Sequence, residues 1–353
     1  MRYILDLTSR LADEMNKQVR NGKYKSPQEF IIAAIQNQLY IESQEINESA
    51  QAADLTATSS VSLGSSSESQ MKTVTPISIP NLLSREIDGV KIVALGSLDR
   101  PPDLWGQYNR FFPVKIVARV AANLIKQYDA DYVPLWELQE KAAEIARDLG
   151  KTIERKDRQL GRKRGTIISA GLPVGRNIEK ATLRFKNQFV GYVAGSKETG
   201  YRMEGEAPTL KFLEMVKDDK NSVRVGITAP GLKFASLSNP VIDLHDYSTS
   251  LSPEEIDLLL EHISSQVPGE AKLVHLILSN VKKGAATPEE LNRKVKAFYP
   301  KKSDNEVISI RAGAVSRICE LGLLDREKDG VKVTYVVTER GEKHLERLAT
   351  LGA

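Results

Sequence analysis

Residues 18–30 read Gln18-Val19-Arg20-Asn21-Gly22-Lys23-Tyr24-Lys25-Ser26-Pro27-Gln28-Glu29-Phe30. Three signals meet in this stretch. Asn21-Gly22 follows a run in which Leu11, Met15 and Val19 recur at helical spacing, so it closes one helix. Ser26 and Glu29 stand three apart with Pro27 beside them, the pattern in which side chains and backbone satisfy each other at the start of a helix. Phe30, Ile31, Ala34, Ile35 and Leu39 then supply the apolar stripe of that second helix. Upstream, Tyr3, Leu5 and Leu7 alternate with Arg2, Ile4 and Asp6, a short strand with one clearly apolar face.

A strand and two helices within residues 1–45 cannot build a core of their own, and a lone strand leaves its backbone groups unpaired. A second copy answers both needs: two strands pair antiparallel and four helices share one core. The alternative is a strand and helical hairpin packed on the rest of the chain. Residues 46–76 argue against it. They are rich in Ser, Ala, Thr and Gln, and no aromatic residue occurs between Tyr40 and Trp105. Such a segment buries too little apolar area to offset its ordering entropy and reads as a flexible linker.

The 18–30 stretch and the strand before it resemble the ribbon-helix-helix antitoxins and repressors of the ParD and CopG type, over about residues 2–42. The resemblance implies a homodimer through residues 1–45, with the paired strands in a DNA major groove and a phosphate at the start of the second helix. By position, Arg2, Ile4 and Asp6 would face the groove, and Ser26 with Lys23 and Lys25 would clamp the phosphate. Asp6 departs from the family pattern: a carboxylate can accept from cytosine, but it also repels phosphate.

At the other end, Leu273, Val274, Ile277 and Leu278 mark one helix, and Thr287-Pro288-Glu289-Glu290 opens a second that Tyr299-Pro300 stops. A third is expected over 305–321, with Ile308, Ala312, Val315 and Cys319 inward and Gly322 as its cap. Asp329-Gly330 then joins two strand patterns, and Thr338 caps a last helix. The run from Ile318 to Leu324 and on to Thr338-Glu339-Arg340-Gly341 is similar to winged helix-turn-helix regulators, over about 268–349. That resemblance implies Asn305, Ser309, Arg311, Ser316 and Arg317 as base readers, with Lys328 and Lys332 on the wing meeting phosphates, as could Lys301 and Lys302 in the turn.

Between these lie two further helical patterns, from Pro113 to Gln127 and from Leu135 to Leu149, the second ended by Gly150. The densest basic run follows: Lys151, Arg155, Lys156, Arg158, Arg162, Lys163 and Arg164, opposed only by Glu154 and Asp157. It is expected to form a third helix with a cationic face, followed by a hairpin over 183–193 and 201–203 that extends the positive surface through Arg184 and Lys186. A solvated surface helix is the competing reading. The fold class expected is therefore mainly α with small β: a ribbon-helix-helix (1–45), a flexible linker (46–76), a central winged-helix-like domain with a basic helix (77–250) and a C-terminal winged helix-turn-helix domain (251–353).

The chain has 353 residues, 41% hydrophobic and 27% charged, with net charge +4. One cysteine and four histidines argue against disulfides or a structural zinc site. No apolar stretch approaches the ~18 residues of a membrane span, and a cytoplasmic location without membrane partners is expected. No glycine-rich phosphate loop or nucleophile elbow is present. Asp243-Leu244-His245-Asp246 reads as a turn, and Glu270-Ala271-Lys272 as a chance match to part of a nuclease core. The expectation is a non-enzymatic, homodimeric, sequence-specific binder of double-stranded DNA without cofactor or metal, acting as a transcription regulator. The alternatives are a plasmid or phage replication initiator or partition protein, a DNA-binding component or nuclease of a defence system, and a scaffold for proteins. Deleting residues 1–45 should convert a dimer into a monomer and weaken DNA binding strongly. Light scattering and a binding titration check this, and a truncated chain that stays dimeric with unchanged affinity refutes the N-terminal reading.

Overall fold

The structure, a computed structural model, describes residues 81–350 apart from 97, 102, 164, 197–199, 218–221 and 330–331, and six positions before them. Contacts divide the chain into Met1–Thr75 and Pro76–Ala353. In the first unit Asp13, Asn16, Val19 and Arg20 are helical, and Pro27 is helical after a bend at Ser26. The opening strand, its pairing with a second copy and the linker lie outside the described residues.

The second unit is mainly helical with small antiparallel sheets. It begins with α1 (Phe112–Tyr128), β1 (Val133–Pro134), α2 (Leu135–Gln159) and α3 (Ile178–Phe185), the last running into a π-helical turn at Lys186–Val190. A hairpin, β2 (Tyr192–Ser196) and β3 (Gly200–Glu204), leads through short α4 (Glu206–Thr209) to β4 (Leu213–Lys217) and β5 (Val223–Ile227). Next come α5 (Ala229–Ser236), α6 (Pro240–Asp243), α7 (Pro253–Gln266), α8 (Pro268–Lys282), α9 (Pro288–Phe298) and α10 (Asp304–Glu320). The chain closes with β6 (Leu324–Asp329), β7 (Lys332–Val337) and α11 (Glu339–Thr350). One sheet has the order β1-β5-β4, and the other two are the hairpins β2-β3 and β6-β7. Both α1–α2–α3 and α8–α9–α10 are thus helical triplets followed by an antiparallel hairpin, and 77–250 shares one hydrophobic cluster with 251–353.

Helix α1 is buried on every side from Phe112 to Ile125. It nevertheless carries Lys115, Arg119 and Asn123 at four-residue spacing, one polar stripe down a buried helix. Lys115 Nζ meets Glu255 Oε1 at 2.7 Å and donates to the carbonyls of Phe234 (2.5 Å) and Leu237 (2.7 Å). Arg119 forms a two-pronged pair with Asp243 at 2.9 and 2.7 Å and donates to the carbonyls of Ala235, Leu83 and Leu237. Asn123 reaches the Ser84 carbonyl at 3.0 Å. These bonds tie α5, α6, α7 and the 83–84 segment to one axis. A buried cation is tolerated only when paired and fully hydrogen-bonded. The first turn of α1 has no side-chain cap of its own. Glu320 at the end of α10 supplies the acceptors, 2.6 Å from the Phe111 N–H and 3.4 Å from that of Phe112, placing a carboxylate at the positive end of the helix.

Several sequence expectations change. Gly150 does not end a helix: α2 continues to Gln159, so the basic run is its second half rather than a separate helix. A Cβ at Gly150 would lie 2.7 Å from Val174 Cγ1 and 3.1 Å from Leu172 Cβ, so the glycine makes room for a loop packed on the helix. Residues 183–185 are helical, not the start of a strand. Asn177 caps α3 by accepting from the Lys180 N–H at 3.0 Å, and Phe185 and Phe189, four apart, meet on one face with ring centroids 5.5 Å apart. The inward face of α10 is also turned from the one expected. Val307, Ala314, Val315 and Ile318 are buried, whereas Ile308 is 45% exposed and Ala312 faces solvent. Cys319 packs against the core, where burial pushes its thiol up to about 11.

Glu206, at the start of α4, is fully buried and neither carboxyl oxygen has a hydrogen-bond partner. Burial raises its carboxyl well above the usual range, against the pull of nearby Arg317 and reinforced by Glu320 and Glu270. The native state therefore holds a proton that the unfolded chain releases above its ordinary pKa. The stability tied to this proton is present at low pH and is lost as pH rises through the folded value. Glu206→Gln should flatten the fall in thermal stability as pH rises above the ordinary carboxylate range and be the more stable form at high pH. An unchanged slope in matched calorimetry contradicts a protonated Glu206.

Candidate nucleic-acid interface

The second half of α2 alternates buried and exposed positions at helical period. Gly150, Ile153 and Asp157 turn inward, so Lys151, Arg155, Lys156 and Arg158 project outward. Arg158 pairs with Glu154 at 3.0 Å and Lys151 with Asp148 at 3.2 Å, both at exposed positions where such pairs contribute ~0.3–0.5 kcal/mol. Arg155 reaches the Thr152 hydroxyl and the Lys151 carbonyl, each at 3.4 Å.

The loop after α2 is fixed from beneath. Asp157 accepts from Arg162 Nη1 at 2.8 Å, from the Ser169 N–H at 2.9 Å and hydroxyl at 2.7 Å, and from the Ile168 N–H at 3.2 Å. Burial acts to raise its carboxyl, but the bonds from Arg162, Ser169 and Ile168 outweigh burial and hold it below the usual carboxylate range. Arg162 also donates to the Tyr247 carbonyl. Lys163, next in sequence, is left exposed. Arg110 then joins this loop to α10, donating to the carbonyls of Gly165 at 3.2 Å and Ser316 at 3.3 Å. A Cβ at Gly165 would lie 3.5 Å from Arg326 Cδ, which sets the β6 strand alongside the loop. At the far end, Leu172 and Val174 pack against Gly150, and Arg176, two residues on, is exposed.

The residues expected to touch DNA thus divide. Arg155, Lys156, Arg158 and Lys163 are brought together on an exposed surface. Arg162 supports that surface from below, and Arg164 lies outside the described residues. Lys186 is held by Glu140 at 2.5 Å, and Arg184 is half-buried with an interaction of its own. Asn305, Ser309, Lys328 and Lys332 are exposed, and Lys302 lies over the Trp105 ring, 5.0 Å from its centroid. Arg311 donates to Asn292 Oδ1 at 3.0 Å and to the Tyr335 hydroxyl at 3.5 Å. Arg2, Ile4, Lys23 and Lys25 lie outside the described residues, and Ser26 is half-buried.

Arg317 is a correction. It is fully buried, with a two-pronged pair to Glu270 at 2.9 and 2.8 Å and further bonds to the carbonyls of Trp105 and Tyr108. A helical periodicity chosen one position off placed it outward. Glu270 and Asp243, weighed in the sequence as carboxylates for catalysis or metal, are instead the partners of Arg317 and Arg119. Among the described residues no cluster of His, Cys, Asp and Glu could hold a metal ion, and no helix is long and apolar enough to cross a membrane. Sequence reasoning missed Arg326, which meets the loop after the basic run at Gly165, and the buried Arg110, which joins that loop to α10 from beneath; both stand far from the run in sequence.

No known protein family matches this chain, and neither a characterised protein nor a solved structure is significantly similar to it. Arg317→Ala leaves Glu270 charged and unpaired in the core, a change that costs ~3–5 kcal/mol, whereas Arg155→Ala at the surface should shift stability by less than ~0.5 kcal/mol. Denaturant titration of the two variants checks the contrast, and equal stabilities would return Arg317 to the surface.

Proposed function

We propose that this protein binds double-stranded DNA as a homodimeric transcription regulator. The observation that carries this reading is the exposed cationic surface of Arg155, Lys156, Arg158 and Lys163, fixed on a rigid helix and an internally braced loop. A flexible basic tail would lose conformational freedom on binding. A preformed surface of this kind neutralises phosphates and releases their counterions with less ordering cost. On this reading α8–α9–α10 with β6–β7 and α11 form a winged helix-turn-helix, and α1–α2–α3 with their strands form a related module. Residues 1–45 supply dimerisation as a ribbon-helix-helix, tethered through 46–76. Two tethered binding units raise each other's effective concentration on one DNA molecule. Engagement of Glu270 and Asp243 by arginines favours a binding role over a nuclease.

A second reading is a replication initiator or partition protein. It is favoured by the repeated arrangement of three helices and a hairpin within one body, which suits iterated sites. Footprinting separates the two: a single operator supports regulation, and an array of repeats supports initiation or partition.

The triple variant Arg155→Glu, Lys156→Glu, Arg158→Glu should lower DNA affinity across all sequences. The slope of log affinity against log salt should fall by about 3, on the order of 0.9 for each phosphate no longer neutralised. Fluorescence anisotropy across a salt series reads both quantities, and an unchanged slope removes α2 from the interface.

A further inference from the structure

We infer that the body grips one duplex by its phosphates across the junction of α2 with the β6–β7 hairpin, while α10 reads no base edge. This rests on the DNA-binding reading above and assigns a division of labour within it.

A recognition helix must present one bare face bearing several side chains that reach base edges. Helix α10 does not. The segment carrying Gly106 lies backbone against backbone on it: a Cβ at Gly106 would sit 2.1 Å from the Ser309 carbonyl oxygen, and one at Gly313 would sit 2.2 Å from that of Gly106. Two glycines permit this approach, and Arg110 and Arg317 lock the segment in place through the Ser316 carbonyl and those of Trp105 and Tyr108. The covered face runs along Gly313, Ser316 and Arg317, with the Ser309 carbonyl at its edge. What stays open around Ile308 and Ala312 carries Asp304, Asn305 and the Ser309 hydroxyl, and half-buried Arg311 beside them donates to Asn292 and the Tyr335 hydroxyl. The one cation of that strip is engaged within the fold and the carboxylate beside it repels phosphate, so α10 is poorly equipped to read bases.

The hairpin divides its charge by face. Its antiparallel register pairs Arg326 with Tyr335 and Lys328 with Val333. Tyr335 is buried, so Arg326 and Lys328 share the inner face, and Arg326 lies against Gly165, two residues after Lys163. Asp325, Glu327 and Asp329 alternate onto the other face, and Lys332, paired with Asp329, sits among them. One lysine of the hairpin therefore continues the cationic surface of α2, and the other lies in an acidic setting that repels phosphate. Sequence alone treats the two lysines as equivalent; the register separates them.

The test uses the full chain and two duplexes, one of random sequence and one selected by the protein itself, titrated from about 50 to about 200 mM salt. Lys328→Glu should lower affinity for both duplexes and reduce the salt slope by about one, so that affinity over that range changes about 3.5-fold less than in the wild type. Lys332→Glu should bind within about twofold of the wild type. The double variant Asn305→Ala, Ser309→Ala should leave the ratio between selected and random duplex unchanged. Equal losses for the two lysine variants, or a collapse of the ratio for the α10 double variant, overturn the inference. If both lysine variants bind normally while the α2 triple variant does not, the hairpin arm is wrong and DNA binding stands. If the triple variant also binds normally, the underlying functional reading is wrong.

Discussion

The body depends on burying α1, a helix that is apolar on most of its surface yet carries two cations and an amide along one line. Lys115 and Arg119 cannot be left without partners in the core, since an unpaired buried charge costs several kcal/mol. Each must meet a carboxylate and a set of carbonyl oxygens, and those acceptors come from distant parts of the chain: Glu255 on α7, Asp243 on α6 and the carbonyls that end α5. Apolar burial alone would tolerate some sliding of α1 against its neighbours. The polar stripe removes that freedom, because a shift of one residue would leave charges facing hydrocarbon. The same demand recurs where Glu320 meets the start of α1 and Glu270 meets Arg317.

Rigidity of this origin has a consequence at the surface. Asp157 and Arg162 are charged groups withdrawn from the basic run to brace the loop from which Lys163 emerges. Arg110 is likewise taken up in joining that loop to α10. The residues left exposed are fewer than the sequence offers, but they are held in place. A surface built this way presents charge without first having to order it.

Much of the secondary structure was legible in the sequence because it depends on local physics. The capping box at Thr287 and the pairing of the two strands on either side of 330–331 rest on hydrogen bonds between residues a few positions apart. The structure places a capping box at Thr287 and an antiparallel hairpin on either side of the turn. The α2 basic residues were legible as a charged run. Three things misled. Gly150 looked like a helix end, because its real reason, the approach of Leu172 and Val174, comes from residues more than twenty positions on. The stripe of α10 admitted two neighbouring periodicities, and only packing against α8 and the 105–110 segment chose between them. Arg317 looked like a surface donor because its partner, Glu270, lies forty-seven residues away.

By itself the sequence determined where α9 starts, that the body is mainly helical with small antiparallel hairpins, and which run of chain is most densely basic. These follow from propensity, capping and periodicity, which act over a single turn or hairpin. Only the tertiary structure decided which charges are drawn inside and which are left to solvent: Arg317, Arg162 and Arg119 went inward, and Arg155, Lys156 and Lys163 stayed out. The reason is that a cation's fate is set by whether a carboxylate and carbonyls from other segments converge on it, and that convergence exists only once the chain has folded.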